Sequence, residues 1–281
     1  MIRVVKAGLF TTVQDLGRFH FRNKGVPVSG AMDAMAVRKA NSLLENDFNA
    51  AVLEITMTGP TLQFEEPSYI VISGASLSVT LNNAPIKNYK VYKIHSGDVL
   101  SYGRLEKGFR GYLAVKGGLQ MPLFLGSRSY YRPVTPKNTV VDGDVLPFEP
   151  TAEFHPKISE IKVDSYLDET KLGVYKGPEF HRFPKSEYDT LFKKVLQVSK
   201  ENNRMAYQIV ENGPGHQESM LTAATLPGTV QWTPSGKLII LMRDGQTTGG
   251  YPRILQLSDA AISILAQKKT GDHIQFNTVD Q

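Results

Sequence analysis

The segment best suited to chemistry is a polar loop sequence, RDGQTTGGYP at residues 243–252, which directly follows five apolar residues. A tight turn would explain the glycines, but not an Asp, a Gln and two Thr together. A diglycine also lets a ligand approach the backbone closely. We predict a functional loop in which Asp244 is a catalytic acid–base candidate and the binding candidates are Gln246, Thr247, Thr248, Gly249, Gly250 and Tyr251.

A second candidate cluster lies near the N-terminus, in TTVQDLGR at residues 11–18 and GVPVSGAMD at residues 25–33. The planar guanidinium of Arg18 suits a carboxylate or a phosphate, and Gln14 is a further binding candidate. Asp33 is the second catalytic candidate. An alternative stays open, in which Asp33 stabilises the start of a helix and Arg18 pairs with Asp15 or Asp33.

Two more polar residues are binding candidates. Arg204 lies in NNRMAY at residues 202–207 and is a candidate anion contact, while Gln231 lies inside the strand-like run VQW. Each has a simpler explanation: a polar turn entering a strand for Arg204, and a solvent-facing strand position for Gln231. Glu54, inside the strand-like run LEIT, has the same simple explanation as Gln231.

Several kinds of site are excluded. The chain has no cysteine, which excludes thiol nucleophiles, cysteine-ligated metals and disulfides. Its six histidines lie far apart without ligand spacing, so no metal site is predicted. The sequence also lacks a phosphate-loop motif, a GxSxG nucleophile elbow, an HExxH zinc motif and a biotin-attachment tripeptide. Acid–base chemistry therefore falls to carboxylates, which is why Asp33 and Asp244 are the candidates.

Charge and hydropathy argue against two classes of partner, nucleic acids and membranes. The 32 basic and 27 acidic residues give a net charge of +5, but the basic residues are scattered, so we predict no nucleic-acid partner. No apolar run approaches the roughly 20 residues that a membrane span needs, and the N-terminus lacks the apolar core of a signal peptide. We therefore expect a soluble cytoplasmic protein with no membrane partner.

The elements that must position these residues are mainly strands. The 24 glycines and 16 prolines punctuate the chain densely, and β-rich runs dominate between them. Only three stretches have a helical period. They are a helix over residues 31–44 capped by Ser29, a helix opened by Pro184 with Tyr188, Leu191, Phe192 and Val195 on one face, and a short helix capped by Ser258 with Ala261, Ile262 and Leu265 facing inward.

A short pattern that begins with Gly-Asp occurs three times, at residues 97–102, 143–148 and 271–276. Each copy predicts a turn that leads into a strand, and the recurrence suggests two β-rich units; a common turn motif arising by chance is the alternative. Three prolines between residues 147 and 161 mark a linker. We therefore predict two domains, residues 1–155 and residues 156–281.

These motifs together resemble the family that contains the C subunit of 5-oxoprolinase, KipA and the second subunit of allophanate hydrolase, as well as the carboxyltransferase region of urea carboxylase. The resemblance runs nearly end to end. It rests on TVQDLGR, GVPVSGAMD, AN at 40–41, LE at 53–54, GP at 59–60, GSRS at 126–129, GPE at 177–179, NRM at 203–205, PGTVQ at 227–231 and DGQTTGGYP at 244–252. The chain departs from the family at Asn202 and Ala206, where Ser and Gly are usual, and in the YYRP that follows GSRS.

The resemblance implies a mainly β protein with two cyclophilin-like β-barrel domains and a few short accessory helices. It also implies a subunit of an ATP-dependent enzyme that opens 5-oxo-L-proline to L-glutamate. In that assembly the protein works with a KipI-like subunit and a LamB/YcsF-like subunit, so a partner can supply part of the site and bind the ATP.

Three alternatives accompany this expectation. A KipA-like protein would be regulatory and would antagonise a KipI-type inhibitor of a histidine kinase. An allophanate- or urea-type carboxyltransferase subunit would need a biotin carrier. Proline isomerisation rests on the barrel fold alone, and a fold does not establish a function.

Overall fold

The computed structural model describes residues 1–218 and 220–279, which form two compact units. The first unit comprises Met1–Arg18 and Ser29–Ser165. The second comprises Phe19–Val28 and the chain from Tyr166 onward. A short N-terminal segment is therefore part of the second unit, although it interrupts the first in sequence.

The residues that follow the proline-rich stretch belong to the first unit up to Ser165, beyond residue 155. They are tied to it by backbone hydrogen bonds. The Val91 amide donates to Ser159 O at 2.8 Å, and the Ile161 amide donates to Tyr89 O at 3.0 Å.

The first unit contains one helix and nine strands. They are β1 Ile2–Lys6, β2 Phe10–Gln14, α1 Ala34–Leu43, β3 Val52–Thr56, β4 Thr61–Phe64, β5 Ser68–Leu81, β6 Ala84–Ile86, β7 Tyr92–Ile94, β8 Val99–Val115 and β9 Val145–Leu146. The strands form one curled sheet in the order β2-β3-β8-β4-β1-β9, and β5 pairs with β6, β7 and β8.

Both faces of this sheet are covered where it packs against α1. Successive side chains of a strand point to opposite faces. In β5, Ile70 and Ile72 accordingly join the main apolar core, whereas Tyr69 and Val71 join the cluster that packs against α1. Strand residues here are therefore buried on both faces, a point that matters for the polar residues below.

Helix α1 begins later than the sequence predicts. Its N-cap is Asp33 and not Ser29, since Asp33 Oδ1 accepts the Ala36 N–H at 3.0 Å. The two amides before Asp33 are engaged elsewhere: Ala31 N–H donates to Asp15 O, and Met32 N–H donates to the Glu54 carboxylate. Residues 29–33 are therefore a fixed loop rather than the first turn of the helix.

In its described residues, the second unit is a closed barrel with two α-helices. Its elements are β10 Lys171–Lys176, α2 Lys185–Lys193, β11 Leu196–Asn202, β12 Ala206–Ile209, β13 Ala223–Ala224, β14 Thr229–Trp232, β15 Leu238–Leu241, β16 Thr248–Gly249, β17 Arg253–Leu257, α3 Asp259–Ala266 and β18 His273–Thr278. Seven strands close the barrel in the order β10-β17-β14-β15-β12-β11-β18, and β13 pairs with β16 in a separate two-stranded ladder.

The two helices of this unit test the predicted periodicity. Helix α3 is capped by Ser258, whose hydroxyl accepts the Ala261 N–H, and its predicted inward residues are buried. Helix α2 starts after Pro184 and buries Tyr188 and Leu191 as predicted. The prediction for Val195 is wrong, because the helix ends at Lys193 and Val195 is 56% exposed.

The three Gly-Asp copies form the same turn. In each, the Asp carboxylate accepts the amide N–H three residues earlier: His95 to Asp98 at 2.7 Å, Val141 to Asp144 at 3.0 Å and Lys269 to Asp272 at 2.9 Å. Each turn leads into a strand, as predicted. The shared geometry explains why Asp recurs at this position.

The predicted fold class, mainly β with a few short helices, is confirmed. Within residues 1–218 and 220–279, no helix is long and apolar enough to cross a membrane.

Candidate functional site

A buried carboxylate network fixes the loop that carries Asp33 in the first unit. Glu54, on β3, accepts the Met32 N–H at 2.7 Å and the Tyr112 hydroxyl at 2.9 Å through Oε2. Its Oε1 faces the buried Arg110 Nε at 3.9 Å. Glu54 is 1% exposed, so it does not face solvent as the strand alternation suggested. It is buried because both faces of the sheet are covered.

Tyr112 connects this network to Asp33 through its hydroxyl group. Its hydroxyl accepts the Asp33 N–H at 2.8 Å while donating to Glu54. Burial, followed by the charges of Glu54 and Asp33, raises the pKa of Tyr112 well above its usual value, so the phenol keeps its proton. The catalytic candidate Asp33 is thus placed at the N-cap of α1, with no exposed surface.

The Asp15 carboxylate organises a second network in the first unit. It accepts the Gly17 and Arg128 amides and the hydroxyls of Ser127 and Ser129, all within 2.6–2.8 Å. Asp15 was not a site candidate, and its signal was its place in the run TVQDLGR. It holds residues 127–129 against residues 15–17.

The binding candidates of the first unit are part of this buried structure. Arg18 is 1% exposed and donates from Nη2 to Ser129 O at 2.5 Å. Gln14 is fully buried and donates to Thr12 Oγ1 at 3.1 Å and Tyr130 O at 3.3 Å. Asp33, Gln14 and Arg18 are thus all buried polar residues of the first unit.

In the second unit, the predicted loop at residues 243–252 contains strand β16, which pairs with β13 in a two-stranded ladder. Ala223 pairs with Gly249, and Ala224 pairs with Thr248. The ladder continues because the Thr225 N–H donates to Thr247 O at 3.0 Å, and the Thr225 hydroxyl donates to Gln246 O at 2.5 Å. Gln246, Thr248, Gly250 and Tyr251 lie on the exposed surface of this loop.

Two glutamine side chains converge on Gly249. A Cβ atom at this position would lie 2.4 Å from Gln231 Nε2 and 3.1 Å from Gln246 Nε2, so any side chain here would displace the Gln231 amide. Gln231 is 1% exposed, and its Nε2 atom has no hydrogen-bond partner among the described residues. A buried amide donor without a partner is costly, so a bound ion, water or ligand group that accepts from it would stabilise the loop.

The loop begins at an ion pair between two predicted site residues. Arg204 Nε donates to Asp244 Oδ2 at 2.7 Å and Nη2 donates to Oδ1 at 3.2 Å, which makes the pair bidentate. The Asp244 N–H also donates to Arg204 O at 2.8 Å. The structure therefore brings the catalytic candidate and the anion-contact candidate together, with each orienting the other.

A second ion pair, which sequence reasoning missed, supports the ladder. Glu179 accepts from the side chain of Arg253 at 2.7 and 2.8 Å and from its backbone amide at 2.9 Å. Arg253 Nη1 donates to Ala224 O in β13. Hydrogen bonding to Arg253 lowers the pKa of Glu179, and the same contact raises the pKa of Arg253. The signal in the sequence was the motif GPE at residues 177–179.

Sequence reasoning also missed Arg22, which lies in Phe19–Val28, the N-terminal segment that belongs to the second unit. Its Nη2 atom donates to Thr225 O and, at 3.5 Å, to Thr247 O, beside the ladder. Burial lowers the pKa of Arg22. No carboxylate among the described residues forms an ion pair with it.

The candidates thus fall into two groups, one in each unit. Gln14, Arg18 and Asp33 lie in the first, and the second contains Arg204, Gln231, Asp244, Gln246, Thr247, Thr248, Gly249, Gly250 and Tyr251. In the part of the chain that the structure describes, no three His, Asp or Glu residues lie close enough together to hold a metal ion.

The chain is similar to known proteins over nearly its whole length. It is 35% identical to the C subunit of 5-oxoprolinase from Escherichia coli (strain K12) over 98% of this chain and 90% of that one. It is 29% identical to urea amidolyase of Lachancea kluyveri over 97% of this chain, which is 16% of that protein. The crystal structure of TTHA0988 in space group P212121 matches with a TM-score of 0.90 at 28% identity, covering 98% of this chain and 55% of the other, so this chain spans about half of its length.

The family model of the carboxyltransferase domain, subdomain A and B, matches residues 24–278. That range contains Asp33 and all the site candidates of the second unit. The protein therefore belongs to the carboxyltransferase domain family, subdomain A and B.

Proposed function

We propose that the chain is a subunit of an ATP-dependent 5-oxoprolinase-type hydrolase that opens 5-oxo-L-proline to L-glutamate in the cytoplasm. The observation that carries the proposal is the similarity to the C subunit of 5-oxoprolinase, which covers nearly all of both chains. That relative is one subunit of an enzyme, so we propose partner subunits as well, a KipI-like one and a LamB/YcsF-like one.

The polar residues of the second unit suit the chemistry of a lactam. A five-membered lactam resists hydrolysis, and opening it places negative charge on the carbonyl oxygen. Donors held in place stabilise such charge most effectively. The buried Gln231 amide, the Gln246 amide and the Arg22 guanidinium supply donors around the ladder.

Asp244 is the candidate best placed to act as the acid or base in ring opening, because Arg204 fixes its orientation at the start of the loop. ATP would supply the phosphoryl group that activates the lactam oxygen. The cation and the amide donors of the second unit fit an anionic group in charge and in hydrogen bonding. We propose that a partner subunit takes part in binding ATP.

Reconstitution tests the proposal directly. The purified chain is mixed with the KipI-like and LamB/YcsF-like subunits, and release of ADP and glutamate is measured with 5-oxo-L-proline and ATP. We expect product only when all three subunits are present. Full activity without this chain would contradict the proposal.

A matched pair of variants tests the role of Asp244 in the same assay. We expect Asp244→Asn to lower turnover by about a hundredfold or more, as loss of a general acid or base does. Asp272→Asn removes the same charge from a turn carboxylate elsewhere in the second unit and should retain turnover. Equal activity of the two variants, with both folded by circular dichroism, would remove Asp244 from the mechanism.

The similarity to urea amidolyase favours a second candidate function, a carboxyltransferase subunit of the urea or allophanate type. This candidate predicts transfer of a carboxyl group from a biotinylated carrier protein to urea, with no glutamate formed from 5-oxo-L-proline. A stable complex with a KipI-like protein that turns over neither substrate would instead favour the KipA-like regulatory function.

A further inference from the structure

Arg22 holds a charge that no described carboxylate of the second unit neutralises. Its guanidinium carries five N–H donors in a rigid fork. The hydrogen bonds of its side chain go to two backbone carbonyls, Thr225 O and Thr247 O. Two other arginines of this unit differ from it in having a carboxylate partner: Arg204 pairs with Asp244, and Arg253 pairs with Glu179.

The two carbonyls hold this cation beside the same ladder that Gln231 contacts. The Thr225–Thr247 pair lies two positions from the Ala223–Gly249 pair, a separation of about 7 Å along a strand. Gln231 Nε2 lies against Gly249 at the far position and has no hydrogen-bond partner among the described residues. A cation and a neutral amide donor therefore flank the same short ladder.

We propose that Arg22 is an oxyanion-binding residue of the second unit, and that it recognises a small ligand carrying an oxyanion next to a second hydrogen-bond acceptor. The Gln231 amide binds that second acceptor. Desolvation of the guanidinium, which its lowered pKa reflects, strengthens its attraction to an anion.

The choice of ligand rests on the proposed function, which this inference deepens. 5-Oxo-L-proline carries a carboxylate and a lactam carbonyl, and these match the cation and the amide. A phosphate offers the same oxyanion chemistry, so the experiment must separate the two sources. Arg22 lies outside every motif on which the family resemblance rests.

Binding is measured by isothermal titration of the whole chain, without turnover, against 5-oxo-L-proline, inorganic phosphate and 2-pyrrolidinone. The last compound is the same lactam ring without the carboxylate. We expect saturable binding of an anion, at least about tenfold weaker in Arg22→Gln because a hydrogen bond to a charged group is lost. Arg22→Lys keeps the charge but loses the fork, and should fall in between.

Arg182→Gln is the matched control, since it removes an arginine charge from an exposed pair with Glu218 in the same unit. It should bind as the unmodified chain does. If Arg22→Gln weakens the binding of 5-oxo-L-proline alone, Arg22 forms a carboxylate site. If it weakens the binding of phosphate alone, Arg22 forms a phosphate site.

Three results would overturn the inference: unchanged binding by Arg22→Gln, equally tight binding of 2-pyrrolidinone, or no saturable anion binding by the unmodified chain. Loss of binding in a variant counts only when its thermal unfolding matches that of the unmodified chain. Because no turnover is measured, failure of the reconstituted enzyme would leave this result standing, and the two hypotheses fail separately.

Discussion

At the scale of single residues, the candidate site of the second unit depends on residue 249 being a glycine, which has no Cβ atom. A Cβ atom there would lie 2.4 Å from the buried Gln231 amide, whereas at Gly250 the nearest atom would be Met220 O at 3.8 Å. We expect Gly249→Ala to lower the free energy of unfolding by about 1–3 kcal/mol through overpacking. Gly250→Ala should change it by less than about 0.5 kcal/mol.

Thermal and urea unfolding of both variants measure this difference. Equal stability of Gly249→Ala and Gly250→Ala would show that Gln231 can turn away from Gly249 at no cost.

The buried carboxylate of Glu54 sets up a second residue-scale prediction. Its pair with Arg110 is buried, whereas the shorter pair between Glu65 and Arg3 is exposed. Leaving a buried charge without its partner costs about 3–5 kcal/mol. Breaking an exposed pair costs about 0–1 kcal/mol. We therefore expect Glu54→Gln to lower the free energy of unfolding in urea far more than Glu65→Gln does. This order holds although the N–O distance of the Glu54–Arg110 pair is the longer of the two.

This comparison sets burial against distance as the determinant of ion-pair strength in the first unit. A larger loss from Glu65→Gln than from Glu54→Gln would contradict the assigned role of the Glu54 network.

At the scale of elements, the Glu179–Arg253 pair connects residues 177–179 and strand β17 to strand β13. The pKa of Glu179 in the folded protein lies below that of an unfolded glutamate, which is about 4.3. The pair therefore contributes its full stability above that pH, and the contribution is lost as the pH falls through the folded-state pKa. We expect Glu179→Gln to be less stable than the unmodified chain at neutral pH.

The difference in stability should shrink towards zero in acid, where Glu179 itself is protonated. Denaturant unfolding at a series of pH values measures it. Glu218→Gln, which breaks the exposed pair with Arg182, should show little difference at any pH. A Glu179→Gln effect that persists unchanged in acid would mean that packing and not charge holds the strand.

At the scale of the whole molecule, the chain crosses between the two units more than once. Phe19–Val28 belongs to the second unit, although the chain on either side of it belongs to the first. A cut introduced between Ser165 and Tyr166 should therefore leave the two fragments associated, because the first fragment contributes Arg22 and its hydrogen bonds to the second unit.

Size-exclusion chromatography of the chain with an engineered protease site at this position tests the prediction. We expect co-elution after cleavage in native buffer and separation in urea. Fragments that separate in native buffer would contradict the assignment of Phe19–Val28 to the second unit.

The sequence by itself determined the mainly β fold class, the family and the polar loop at residues 243–252. These properties depend on local turn chemistry, on strand propensity and on motifs that are continuous in the chain. The same local rules predicted the cap of α3 and the Gly-Asp turns. They failed at Glu54, because strand alternation distinguishes inside from outside only when one face of a sheet is exposed to water.

Only the tertiary structure decided which polar groups meet. Arg22 lies 203 residues from Thr225, Glu179 lies 74 from Arg253, and Glu54 lies 58 from Tyr112. No local propensity encodes such pairs, because the pairing of strands distant in sequence and the crossing of Phe19–Val28 bring them together. The sequence therefore indicated Arg204 and Asp244 as charged site candidates of the second unit, but the topology determined that they pair. Arg22 and the Glu179–Arg253 pair emerged only from the structure.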